Sequence, residues 1–273
     1  MALAILSVIS SSSLEAGETR IPFDDRGGLI WVPVYIDGSK PLNFLLDSGA
    51  EQSVIDLRTA KKLGVELVGR ERVACVGGDE TAYNTAPVTL RLSKSTAWSG
   101  PLLGLDLGRE SRTLHRRIDG LIGMDFLADR TICIDYASKL VEFDAVVPRR
   151  HYKAIPIHMF RGNPCATLTI NKTQVLSNVR IDTGCNQSLH WSPTKTGQSD
   201  RTERRTIGYW MKKTRTQKID VSLGAIRFEE VATTRHRQPI FPGENGLLGN
   251  PLLARGGMAI LDFRKKRLIL SGR

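Results

Sequence analysis

Two tripeptides carry the chemistry most readily read from this chain: Asp47-Ser48-Gly49 and Asp182-Thr183-Gly184. Each ends an apolar run, Phe44-Leu45-Leu46 in the first case and Val179-Arg180-Ile181 in the second, which places the aspartates near a core. Alone, Asp-Ser-Gly is weak, because all three residues favour turns and a solvated surface turn is the ordinary reading. Two aspartates in matched settings have another use. Carboxylates held about 3 Å apart cannot both ionise cheaply, so the pair keeps one proton over a wide pH range. The ionised member takes a proton from a water between them while the protonated member polarises a carbonyl, and the roles then exchange. The two pKa values belong to the pair, so the sequence does not assign the base to Asp47 or to Asp182. Gly49 and Gly184 let backbone approach the carboxylates with no Cβ in the way.

The elements that must position these residues form an internal repeat. The first copy reads Leu29 to Ile36, a polar turn at Asp37 to Pro41, then Leu42 to Leu46 and Asp47. The second reads Cys165 to Ile170, a turn at Asn171 to Thr173, then Val175 to Ile181 and Asp182. Strands rich in Val, Ile and Leu around Gly, Asn or Asp turns read as β-hairpins. Downstream, Gly120-Leu-Ile-Gly123 matches Gly246-Leu-Leu-Gly249, and each is followed by a closing hairpin: Ile132 to Tyr136 with Leu140 to Phe143, then Ala259 to Phe263 with Leu268 to Leu270. The Asp-to-Gly spacing is 76 residues in the first unit (47 to 123) and 67 in the second (182 to 249). Four matched features in one order point to duplication. The join falls near Pro148-Arg-Arg-His-Tyr-Lys153. Helical signal is sparse: Ser53 to Leu63, stopped by Gly64, and a short piece at Phe126 to Asp129.

This order of motifs resembles the aspartic proteases, in particular the retropepsin-like group and its two-lobed pepsin-like relatives, over about residues 20–270. Leu46-Asp47-Ser48-Gly49-Ala50 with Gly120 to Leu127 looks especially like the bacterial members. The resemblance implies an all-β fold of two similar β-barrel lobes with a cleft between them: a leader or signal at 1–19, one lobe at 20–147 and another at 148–273. It implies an endopeptidase with Asp47 and Asp182 as the catalytic dyad, needing no cofactor or metal. Ser48 and Thr183 would brace the facing loops, and Gly123 and Gly249 would sit in psi-shaped loops behind them. The second copy departs from the pattern at Cys185, where a small apolar residue is usual, and at Asn250-Pro251.

A cleft needs a cover. Val73 to Tyr83 has paired glycines, Gly77 and Gly78, between extended segments and reads as a flap hairpin. Tyr83 either closes over substrate or packs on its own sheet. Thr206 to Met211, with Tyr209 and Trp210, lies at a comparable place in the second unit and reads as a second flap edge or an exposed aromatic pair.

Composition bounds the rest. The chain has 273 residues with 39 Lys+Arg against 28 Asp+Glu, a formal charge of +11. Residues 1–150 hold 18 basic and 20 acidic side chains, leaving 21 and 8 for the remainder. The stretch Arg201 to Lys218 has seven Lys/Arg around Tyr209 and Trp210, a mixture able to hold single-stranded nucleic acid. No recognised nucleic-acid motif accompanies it, so a peptide or protein is the expected partner and nucleic acid is not. A Ser-His hydrolase has five histidines available (His115, His151, His158, His190, His236) but no Gly-x-Ser-x-Gly elbow. The non-enzymatic alternative is an inactive fold of this kind that binds peptide or protein. Cys75, Cys133, Cys165 and Cys185 have no metal-site spacing and read as isolated thiols. No apolar run approaches the roughly 18–20 residues of a membrane-spanning helix. Met1 to Ile9 followed by serines suggests export without the usual basic n-region, and the expected state is a monomer.

Overall fold

The structure is a computed structural model and describes residues 20–75, 78–147, 152–193, 206–207 and 216–271. The leader reading at 1–19, Gly77, most of the interlobe join and the Tyr209-Trp210 pair lie outside the described residues. The architecture is mainly β with a few short helices, as the apolar strand-length runs require.

The described residues form three sheets. A ten-stranded sheet is built from the first half of the chain, with Thr206–Ile207 added at one edge beside Leu67–Cys75. A seven-stranded sheet comes from the second half. The third sheet, of six strands, joins them: Thr131–Asp135 pairs antiparallel with Met258–Asp262, so each half gives three strands.

Both Asp-bearing hairpins turn in the same way. Asp37 and Gly38 have φ of 45° and 81°, and Asn171 and Lys172 have 47° and 66°. In each the residue after the pair donates back across the turn, Ser39 N to Ile36 O at 2.8 Å and Thr173 N to Ile170 O at 3.2 Å. Two consecutive positive φ values give the turn whose twist matches a hairpin.

Pairing beyond the hairpins repeats as well. Leu42–Leu46 runs parallel to Gly120–Ile122 with Leu45 beside Leu121, and Gln174–Asp182 runs parallel to Gly246–Gly249 with Arg180 beside Leu247. Each Gly strand then takes an antiparallel neighbour, Val54–Asp56 or Leu189–Trp191, and that neighbour a parallel one, Leu103–Leu105 or Ile226–Arg235.

Local signals account for the helices. Leu57–Leu63 is capped by Asp56, whose side chain accepts from Thr59 N, and stops at Gly64 in the left-handed region (φ 71°). The sequence pattern predicts a helix from Ser53; Val54–Asp56 is instead a buried strand, because its position beside Gly120–Ile122 outweighs helical periodicity. The short helix falls at Met124–Leu127, two residues earlier than expected. Tyr152 and Lys153, read as part of the polar join, belong to the Tyr152–Pro156 strand on the outer edge of the six-stranded sheet.

The main core runs through all three sheets. A second apolar cluster of the first half contains Leu45, Val54, Val73, Ala82, Ile118 and Leu121. In the second half, a small cluster among the described residues consists of buried Phe241 and Leu247 with Ile240 partly buried against them. There Arg180 and His190 take the places beside Leu247 that Leu45 and Val54 hold beside Leu121.

Candidate active site

Each aspartate sits at the end of a buried strand, where the chain leaves the sheet in a tight turn. Ala50 N donates to Asp47 O and Cys185 N to Asp182 O, both at 3.2 Å. Within each turn the glycine N–H donates to its own aspartate: Gly49 N to Asp47 Oδ1 and Gly184 N to Asp182 Oδ1, both at 2.9 Å.

The two turns are locked together by their hydroxyls. Ser48 N donates to Thr183 Oγ1 at 2.9 Å and Thr183 N to Ser48 Oγ at 3.1 Å. Ser48 Oγ then donates to Ile181 O and Thr183 Oγ1 to Leu46 O, each at 2.8 Å. Every donor and acceptor of this buried interchange is satisfied from the opposite half of the chain.

The same lock brings the carboxyls face to face. A Cβ on Gly49 would lie 2.6 Å from Asp182 Oδ1, and one on Gly184 would lie 2.6 Å from Asp47 Oδ1. Both aspartates are fully buried, each with its carboxyl against the glycine of the opposite turn. Oδ2 of each has no protein donor. Burial and the neighbouring Asp182 charge push Asp47 well above the ordinary carboxylate range. Burial also raises Asp182, to about 6, against the opposing charge of Arg180. The dyad therefore carries a proton at pH values where an exposed carboxyl has lost its own.

Behind the loops, Gly123 and Gly249 occupy places with no room for a side chain. A Cβ on Gly123 would meet Gln52 O at 2.7 Å, and one on Gly249 would meet Cys185 O at 2.7 Å. The next residues tie back to the Asp loops: Met124 N to Ala50 O at 2.8 Å, Asn250 N to Cys185 O at 2.9 Å. The two departures of the second copy thus meet each other. Asn250 has a further use, donating to Gly28 O at 2.9 Å and accepting from Tyr136 Oη at 2.6 Å, which ties second-half and first-half segments together.

Leu67–Cys75 and Gly78–Thr85 form the expected hairpin, with Gly78 at φ 133°. Tyr83 is half-buried in the second of these strands, opposite Arg70 and Gly104. Cys75, Cys133, Cys165 and Cys185 are all unbridged, and burial raises the thiols of the last three. Among the described residues no cluster of three or more His, Cys, Asp or Glu is arranged to hold a metal ion. No helix among them is long and apolar enough to cross a membrane.

Residues 32–126 match the aspartyl protease family model. The matched segment holds Asp47, its Ser-Gly turn and Gly123, and supports the aspartic protease family and a hydrolase of that type. No curated protein matches the chain significantly.

Some polar groups near the two Asp turns have no clear signal in the sequence. Arg180 and Glu244 form a fully buried ion pair. His190, read as a strand or cleft residue, lies buried in Leu189–Trp191 with Nδ1 2.9 Å from His236 Nε2. Asp125 accepts from Ser53 N and Ser53 Oγ, and Ser53 Oγ accepts from Gly123 N. The available signal for the ion pair was a charge inside an apolar run, Val179-Arg180-Ile181.

Proposed function

We propose that the chain is an aspartic endopeptidase of the retropepsin-like kind with two lobes on one chain, at 20–147 and 148–273. One water held between Asp47 and Asp182 attacks the peptide carbonyl. The reading is carried by one observation: two buried carboxyls, each hydrogen-bonded by its own turn and each pressed against the glycine of the other.

The reaction follows from that pair. The ionised carboxylate takes a proton from the water, whose oxygen bonds to the carbonyl carbon. The protonated partner donates a hydrogen bond to the carbonyl oxygen as it gains negative charge. Protonation of the nitrogen then lets the carbon–nitrogen bond break, and the dyad returns to a single shared proton. Ser48, Gly49, Thr183 and Gly184 hold the geometry, with Gly123 and Gly249 behind them.

Neither Asp47 nor Asp182 has exposed surface, so substrate entry needs an opening motion. We assign it to the hairpin bearing Gly77, Gly78 and Tyr83, since such covers exclude water once closed. The basic excess of the second half suits acidic peptides. The proposal includes an exported, monomeric protein. The burial of the dyad is also what a peptide-binding module without catalysis would have. Incubation with a peptide library from acid to neutral pH, read by mass spectrometry, separates the two. Internal cleavage is expected; peptide retained uncut at every pH favours the binding module.

A further inference from the structure

Arg180 stands where the first half has Leu45, and Glu244, two residues before Gly246, stands where it has Ile118 before Gly120. Leu45 and Ile118 pack as hydrocarbon. Burying an ion pair in place of well-packed hydrocarbon is often neutral or unfavourable for stability, so stability alone does not explain it.

Each nitrogen of the guanidinium has a partner. Nε and Nη2 donate to the two carboxylate oxygens of Glu244, and the group lies 4.1 Å from the centre of the Phe241 ring. Nη1 donates to Gly49 O at 2.7 Å. Gly49 belongs to the opposite turn, where its N–H donates to Asp47 and its Cα abuts Asp182. A side chain on the strand of Asp182 therefore grips the loop of Asp47.

We propose that Arg180, clamped by Glu244, is a positioning residue that fixes the Gly49 carbonyl and sets a permanent positive charge beside the dyad, making its two carboxyls unequal. The proposal rests on the dyad reading above.

Several charged or titratable groups face this site. Arg180 comes from the Asp182 strand, Glu244 from the segment before Gly246–Gly249, and Cys185 from the Asp182 turn. Cys165 faces Arg180 from Asn163–Ile170, and Glu51 and Arg161 face Glu244. Among these, Arg180 is the foremost group favouring ionised Asp182, whereas Asp47 relies first on the Gly49 N–H and only then on Arg180. Arg180 reaches the pair from the strand of Asp182 and ends on the Gly49 carbonyl, so its charge enters from one side of the two carboxyls. Arg180 acts through charge and loop placement, and makes or breaks no bond.

The test compares Arg180→Met/Glu244→Leu, which copies the apolar first half, with Glu244→Gln, which keeps the shape and removes the opposing charge. Carbon-13 titration of the aspartate Cγ signals reads the dyad directly, and the acid limb of kcat/KM reads it in turnover. The double variant should move the lower titration up by about one pH unit, and Glu244→Gln should move it down. Opposite shifts are not produced by a merely structural role. No shift in folded Glu244→Gln, or shifts of the same sign, overturns the proposal; Glu244→Gln carries the test alone if the double variant does not fold. A wild type that cleaves nothing defeats the peptidase reading, while the titration still decides the effect of Arg180.

Discussion

The backbone of Gly49 lies against the carboxyl of Asp182 so closely that a methyl group on it would come within 2.6 Å of Oδ1. Gly184 stands in the same relation to Asp47. Gly49→Ala and Gly184→Ala must therefore push the carboxyls apart. Each is expected to lower kcat by about 100-fold or more, since displacements on the order of 1 Å cost that much. Steady-state kinetics on protein shown to be folded by circular dichroism checks this.

Thr183 donates to Leu46 O and accepts from Ser48 N, so Thr183→Val strands two buried groups while keeping shape. A loss on the order of 1–3 kcal/mol in urea unfolding is expected, and Thr183→Ser should restore most of it.

Much of this was legible in the sequence because it depends on local rules. The paired hairpins, the Asp turns and the two Gly strands follow from apolar runs punctuated by turn residues. Ser53–Asp56 was not legible, since its helical periodicity yields to pairing with Gly120–Ile122. Nor was the exchange of Leu45 for Arg180, because only the register between strands far apart in sequence reveals that the two positions correspond. The reach of Asn250 to Gly28 O and Tyr136 Oη is likewise a tertiary fact.

The dyad makes stability fall with rising pH. Asp182 titrates at 3.8 when exposed and at about 6 in the fold, so the folded state binds the proton more tightly. That contribution is full below pH 3.8 and is lost as the pH rises through about 6. Asp182→Asn removes the penalty and should be more stable than wild type at neutral pH, on the order of 1–3 kcal/mol, with the gap closing in acid. Urea unfolding across that range checks the slope.

His190 acts in the opposite sense. Burial, and then the neighbouring His236, lower it from 6.5 to about 4, so its contribution is present above pH 6.5 and lost as the pH falls through about 4. His190→Leu, closer to the Val54 of the first half, should flatten that acid decline, with a gain of about 1–3 kcal/mol at the acid end. Thermal melts at acid and neutral pH measure the difference.

The central claim is that Asp47 and Asp182 share one water and one proton. Peptide cleavage by wild type, Asp47→Asn and Asp182→Asn under identical conditions tests it most directly. Both folded variants should lose activity by at least about 1,000-fold, because either amide ends the proton exchange. Undiminished cleavage by either one would contradict the shared dyad.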